Sequence, residues 1–118
     1  MEWKKAPEKL IKFLEERMMK VDCEHRTMFG YPAYFINGNM FAGAFQDILF
    51  LRLPDSDRTK VEKSNPSIRP FEPMKGRPMG EYVAIPKPLY EDESFFDEWL
   101  ERSVECTRSL PVKTKAKR

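Results

Sequence analysis

Near the start of the chain the apolar residues Leu10, Ile11, Leu14, Met18 and Val21 recur at helical spacing, with Lys9, Lys12, Glu15, Glu16 and Lys20 between them. Pro7 suits a first helical turn, and the acid Glu8 beside it complements the helix dipole. The pattern predicts a helix over residues 7–20, with Phe13 at the edge of its stripe. The period then changes. Residues 31–36 carry aromatic and β-branched side chains up to Asn37-Gly38, a strong two-residue hairpin signal, and residues 40–45 return. A second tight connection at Gln46-Asp47 leads into a strand over residues 48–53. There Leu49, Leu51 and Leu53 share one face, while Ile48, Phe50 and Arg52 share the other. A strand that is apolar on both faces belongs in the middle of a sheet, with cover on each side.

Pro54 ends that strand, and Asp55, Ser56 or Asp57 is positioned to cap a short helix reaching about Lys63. Residues 64–80 are rich in Pro and Gly and hold a short edge strand at 69–72. A last strand spans 82–85, closed by Pro86 and Pro88. The final helix covers residues 93–110, with Phe96, Trp99, Leu100, Ser103, Thr107 and Leu110 on one stripe, and Pro111 ends it. The predicted order is α-β-β-β-α-β-β-α. Its β-β connections are short, so the expected fold is a two-layer α+β domain with an antiparallel five-stranded sheet. Residues 1–110 form one domain in this reading, and residues 111–118 a basic flexible tail.

Composition agrees with one domain: 118 residues, 41% of them hydrophobic, which is enough for a core. Two cysteines, Cys23 and Cys106, and a charged N-terminus without an apolar h-region point to reduced thiols and a cytoplasmic protein. The long uncharged run between Arg26 and Asp47 is interrupted by Pro32 and by Asn37-Gly38-Asn39, so it is not a membrane span. The net charge of +2 is too small for a protein that wraps nucleic acid by charge alone. It conceals segregation, since residues 91–105 carry −6 and residues 106–118 carry +5. The acids of the first group begin a helix, where the dipole favours them.

Candidate chemistry is sparse. Cys23 and the single histidine His25 lie two residues apart, a spacing that on a strand would point a thiol and a base the same way. The run Cys23-Glu24-His25 reads more simply as the connection from the first helix to the sheet, and no catalytic residue is assigned. Cys23, His25 and Cys106 lack a fourth ligand and close spacing, so no metal is expected. Gly76-Arg77-Pro78-Met79-Gly80 follows Lys75 and could approach an anion, but it also reads as a flexible turn. The chain has neither a Walker sequence nor a Gly-x-Gly-x-x-Gly, and no cofactor is expected. The tail cations Lys113, Lys115, Lys117 and Arg118, with the segment 69–77, are candidate phosphate contacts.

Several ordered segments carry a resemblance. Arg26-Thr27-Met28-Phe29-Gly30, Phe35-Ile36-Asn37-Gly38-Asn39-Met40-Phe41-Ala42-Gly43 and Leu49-Phe50-Leu51-Arg52-Leu53 resemble the N-terminal domain of the TfoX (Sxy) competence regulators. Phe71-Glu72-Pro73-Met74, Gly76-Arg77-Pro78-Met79 and Glu81-Tyr82-Val83 continue it, over about Leu10 to Leu110. The resemblance implies a bacterial, cytoplasmic α-β3-α-β2-α domain. Full-length members look like positive regulators of competence genes that act together with the cyclic-AMP receptor protein. The resemblance therefore implies a non-enzymatic regulatory module, and the family pattern identifies no catalytic residues to carry over. Family members carry a second, C-terminal domain, and the sequence corresponds to the first domain as a stand-alone member.

Within the matched segments Arg26 and Arg52 are charges flanked by apolar sequence, and Arg52 is expected to meet an acid of the protein or a ligand carboxylate. Arg26, Arg52, Arg77, Gly76 and Met79 form the candidate binding surface. The expected partner is a protein, either transcription machinery or a separate C-terminal-domain protein, with self-association a further expectation. Nucleic-acid binding through the tail is the alternative.

Overall fold

Leu10, Leu14 and Met18 lie buried along one side of α1 (Glu8–Met18), with Pro7 as its N-terminal flank. The structure, a computed structural model, describes residues 7–28, 30–74 and 76–111. After α1 come β1 (Glu24–Met28), β2 (Tyr31–Ile36), β3 (Asn39–Phe45) and β4 (Ile48–Arg52), then α2 (Asp55–Ser64). The second half holds β5 (Arg69–Met74), β6 (Arg77–Ile85), the one-turn α3 (Lys87–Tyr90) and α4 (Glu93–Arg108). The strands form one antiparallel sheet in the order β1-β2-β3-β4-β6-β5. Among the described residues no helix is long and apolar enough to cross a membrane.

The class is as the periodicity predicts, but the sheet has six strands rather than five. The additional strand is β1, where a connection was expected around Cys23-Glu24-His25. It lies at the edge of the sheet, and Glu24, His25 and Thr27 are exposed, so the apolar alternation that marks a half-buried strand is missing. The last strand is also longer than expected, because its first residues pair with β5 through an irregular hairpin. At α2 the capping expectation is corrected. Pro54 takes the flanking position with no side-chain cap, and Asp55 lies in the first turn, where it pairs with Arg58 at 2.6 Å.

One face of the sheet packs against helices. Ala42, Ala44, Leu49, Leu51, Val83 and Ile85 meet Leu10, Leu14 and Met18 of α1 and Phe96, Trp99, Leu100 and Val104 of α4 in a single core. Asp92 caps α4, its Oδ1 accepting from the Phe95 N–H at 3.2 Å. The β2–β3 turn has φ of 54° at Asn37 and 81° at Gly38, the two positive values expected of a hairpin turn. Past it the register slips between Tyr34 and Phe35, so that Phe41 is the extra residue of a bulge on β3. Phe41 and Ala42 are both fully buried in the helix-side core as a result. The Phe41 carbonyl accepts from the buried Ser103 hydroxyl of α4 at 3.1 Å, which ties helix to bulge.

The other face carries a smaller cluster of Phe50, Phe71 and Tyr82, flanked by Met40, Phe45, Ile48 and Ala84. Its rings cover one another. Phe50 stacks on Phe71 with centroids 4.5 Å apart, Tyr82 meets Phe50 edge-on at 5.7 Å, and Phe45 meets Phe71 edge-on at 5.6 Å. Gly43 makes this closure possible. A Cβ there would lie 2.5 Å from Phe50 Cζ and 2.8 Å from the Pro32 carbonyl oxygen. The ring has some freedom to shift, whereas the carbonyl belongs to the sheet. Gly43→Ala should therefore destabilise the domain by about 1–3 kcal/mol, as overpacking does, read as a lower urea midpoint at unchanged slope.

Candidate functional site

The strand alternation that puts Leu51 in the helix-side core turns Arg52 to the aromatic face, opposite Tyr82 on β6. Arg52 is largely buried there and its fork is fully engaged. Nε donates to the Met40 carbonyl at 3.1 Å, Nη2 to the Tyr82 hydroxyl at 3.0 Å, and Nη1 pairs with Glu81 Oε1 at 2.9 Å. The Tyr82 hydroxyl in turn donates to the Met40 carbonyl at 2.9 Å. Three strands thus meet at one guanidinium: β3 through Met40, β4 through Arg52, and β6 through Glu81 and Tyr82. The acid of the protein expected for Arg52 is Glu81. Burial pushes the Tyr82 phenol upward, which the Arg52 hydrogen bond and charge oppose, so it stays a donor in the neutral range.

Arg26 lies on the same face but at its far edge, with β2 and β3 between it and Arg52. Its guanidinium sits over the Phe35 ring, 4.7 Å from the centroid, and bonds Glu24 Oε1 at 3.1 Å. Gly76 stands at the tip of the β5–β6 hairpin with φ 81°, and its N–H donates to Glu72 Oε2 at 2.5 Å. Arg77 and Met79 are in the β6 backbone, opposite Met74 and Phe71, and their side chains are outside the described part of the structure. Lys113, Lys115, Lys117 and Arg118 lie outside the described residues altogether. The candidate residues therefore divide into an edge position, an engaged central position and a hairpin tip.

The thiol and the imidazole occupy the other side of the sheet. His25 stacks on Tyr34 with centroids 4.9 Å apart. The Cys23 thiol is pushed up, by burial first and by the nearby Asp22 carboxylate second, which is the direction away from a thiolate nucleophile. Cys106 is likewise pushed up, mainly by burial.

Two features depend on contacts between residues distant in sequence and give no local signal. Arg17 of α1 reaches α4, with Nη2 3.0 Å from Glu93 and Nε 3.0 Å from Asp97, while its guanidinium lies over Phe13. An open groove of about 650 Å³ runs between α2 and α4, lined by Asp57, Glu98, Glu101, Arg102, Glu105 and others. In it Arg102 pairs with Asp57 at 3.1 Å, and Glu101 and Glu105 stay exposed, so the groove is acidic.

The family model of the TfoX N-terminal domain matches residues 16–107 of the chain. Among curated proteins none matches it.

Two outcomes follow from the buried polar groups. Arg52→Lys should cost about 1–2 kcal/mol by chemical denaturation, because one ammonium cannot serve Met40, Tyr82 and Glu81 in the fork geometry. Tyr34 is pushed from 10.0 up to about 12 by burial first, with the Glu15 carboxylate and Cys23 adding to it. A phenol that keeps its proton longer when folded contributes stability that is whole below pH 10 and is lost as pH rises through about 12. Unfolding free energy should fall over that window, and by less in Tyr34→Phe than in the wild type.

Proposed function

The chain belongs to the TfoX N-terminal domain family, and on that premise we propose that it is a regulatory module acting through contact with protein. The match over residues 16–107 is the observation that carries the reading. Members of the family resemble competence regulators that work alongside the cyclic-AMP receptor protein, and the partner we assign is of that kind: transcription machinery, or a protein supplying the C-terminal domain. A second copy of the chain is a further partner.

The geometry supports contact chemistry over turnover. Arg17, Arg52, Arg58 and Arg102 are each held by a carboxylate of the protein itself. The Cys23 thiol is shifted away from its reactive form. On the surface, the acidic groove of α2 and α4 suits a basic protein segment and repels a phosphate backbone. The reading places the protein in the bacterial cytoplasm, without a cofactor.

Fluorescence anisotropy of the labelled chain tests this with three additions: the cyclic-AMP receptor protein with its nucleotide, that protein on promoter DNA, and the DNA alone at low salt. Saturable binding in either of the first two arms, beyond that seen with DNA alone, is the expected result. Binding to DNA alone that disappears when residues 113–118 are deleted would replace the reading with a nucleic-acid accessory role. No change in any arm would overturn contact with this machinery.

A further inference from the structure

The sheet has two edges, and they are not equally protected. β5 carries Pro70 and Pro73, which have no N–H to offer a further strand. β1 carries neither proline nor glycine. Among the described residues β2 is the only element that packs extensively along β1. The direction of its free backbone groups follows from the register. Thr27 lies opposite Pro32, which cannot donate, and the ladder runs unbroken from Glu24↔Phe35 to Met28↔Tyr31. The inward hydrogen bonds therefore fall on Glu24, Arg26 and Met28, and the N–H and C=O groups of His25 and Thr27 point outward.

We infer that β1 pairs antiparallel with β1 of a second copy, about a twofold axis at His25, joining the two sheets into one. The charges select this register over its neighbours. An axis at Arg26 would oppose two guanidiniums. An axis at Thr27 would set Arg26 against Met28 and leave Glu24 beyond the partner strand's end. With the axis at His25, Glu24 of each copy faces Arg26 of the other, twice.

These facing residues are non-hydrogen-bonded pairs of the new ladder, the kind whose side chains approach most closely. Glu24 and Arg26 of one chain already share a face and a 3.1 Å contact. Pairing therefore builds an alternating ring of four charges. The interface lies away from the α2–α4 groove and leaves it open. The inference deepens the second-copy part of the proposed function and needs no regulatory partner, so it stands or falls on the purified protein alone.

Sedimentation velocity on the full chain, across concentrations up to about 1 mM, tests it. A concentration-dependent dimer is expected. Thr27→Pro removes an outward N–H without removing a ladder bond to β2, and should weaken dimerisation about tenfold or more. Glu24→Arg and Arg26→Glu alone should each weaken it about tenfold, and the two together should restore it to within about threefold of the wild type. Circular dichroism of each variant reports whether the monomer stays folded, and if Thr27→Pro does not fold, the charge exchange decides. A strict monomer throughout the range overturns the inference. So does a dimer indifferent to these substitutions, or a double variant as weak as the singles.

Discussion

The far side of the sheet is closed by a side chain that is not there. With helices on only one face, a central strand as apolar as β4 would leave Phe50 in water. Gly43 lets the Phe50 ring lie against the backbone of β3, with the Pro32 carbonyl close by. Phe71 and Tyr82 can then pack over Phe50 from the β5–β6 side. Much else follows from this approach. Tyr82 is held where its hydroxyl meets Arg52 and the Met40 carbonyl, and Arg52 is held where Glu81 can reach it. The aromatic cap and the buried polar node are one arrangement, resting on a position where a Cβ would crowd both the ring and a sheet carbonyl.

Arginine does most of the joining elsewhere. Arg17 connects the first helix to the last, Arg102 connects α4 to α2, and Arg52 connects β4 to β3 and β6. Three of them also lie over an aromatic ring, Arg17 on Phe13, Arg52 on Tyr82 and Arg102 on Trp99. A planar cation can stack on a ring and pair with carboxylates at once, so each guanidinium is held on its face as well as at its rim. These groups define the surface by subtraction: the acids left over, Glu101 and Glu105, give the α2–α4 groove its sign.

How much of this could be read from the chain depends on where its cause lies. Local causes were legible. The stripe of α4 from Phe96 to Thr107 is buried, the Asn37-Gly38 turn has its positive φ values, and the two apolar faces of 48–53 are both covered. The strand β1 was not, because Glu24, His25 and Thr27 are polar on an edge that water reaches, and nothing in their order distinguishes an edge strand from a loop. For Arg52 an acid of the protein and a ligand carboxylate were both open as partners, and Glu81 could not be singled out, since the ladder that brings β6 beside β4 spans about thirty residues. The Arg17 bridge and the groove are further from view still, each depending on how helices from different parts of the chain come to lie together.

The Arg17 bridge has a consequence in time. The meander from β1 to β4 is made of short hairpins whose partners are neighbours in sequence, and such contacts close at little entropic cost. α1 is different. It is synthesised before the sheet and α4, yet Phe13 packs on Phe96 and Arg17 pairs with Glu93 and Asp97, late in the domain. On the ribosome its apolar stripe must wait, without a finished seat, until nearly all of the domain has emerged. The charges beside that stripe, Lys9, Lys12, Glu15 and Glu16, keep it in solution during that interval.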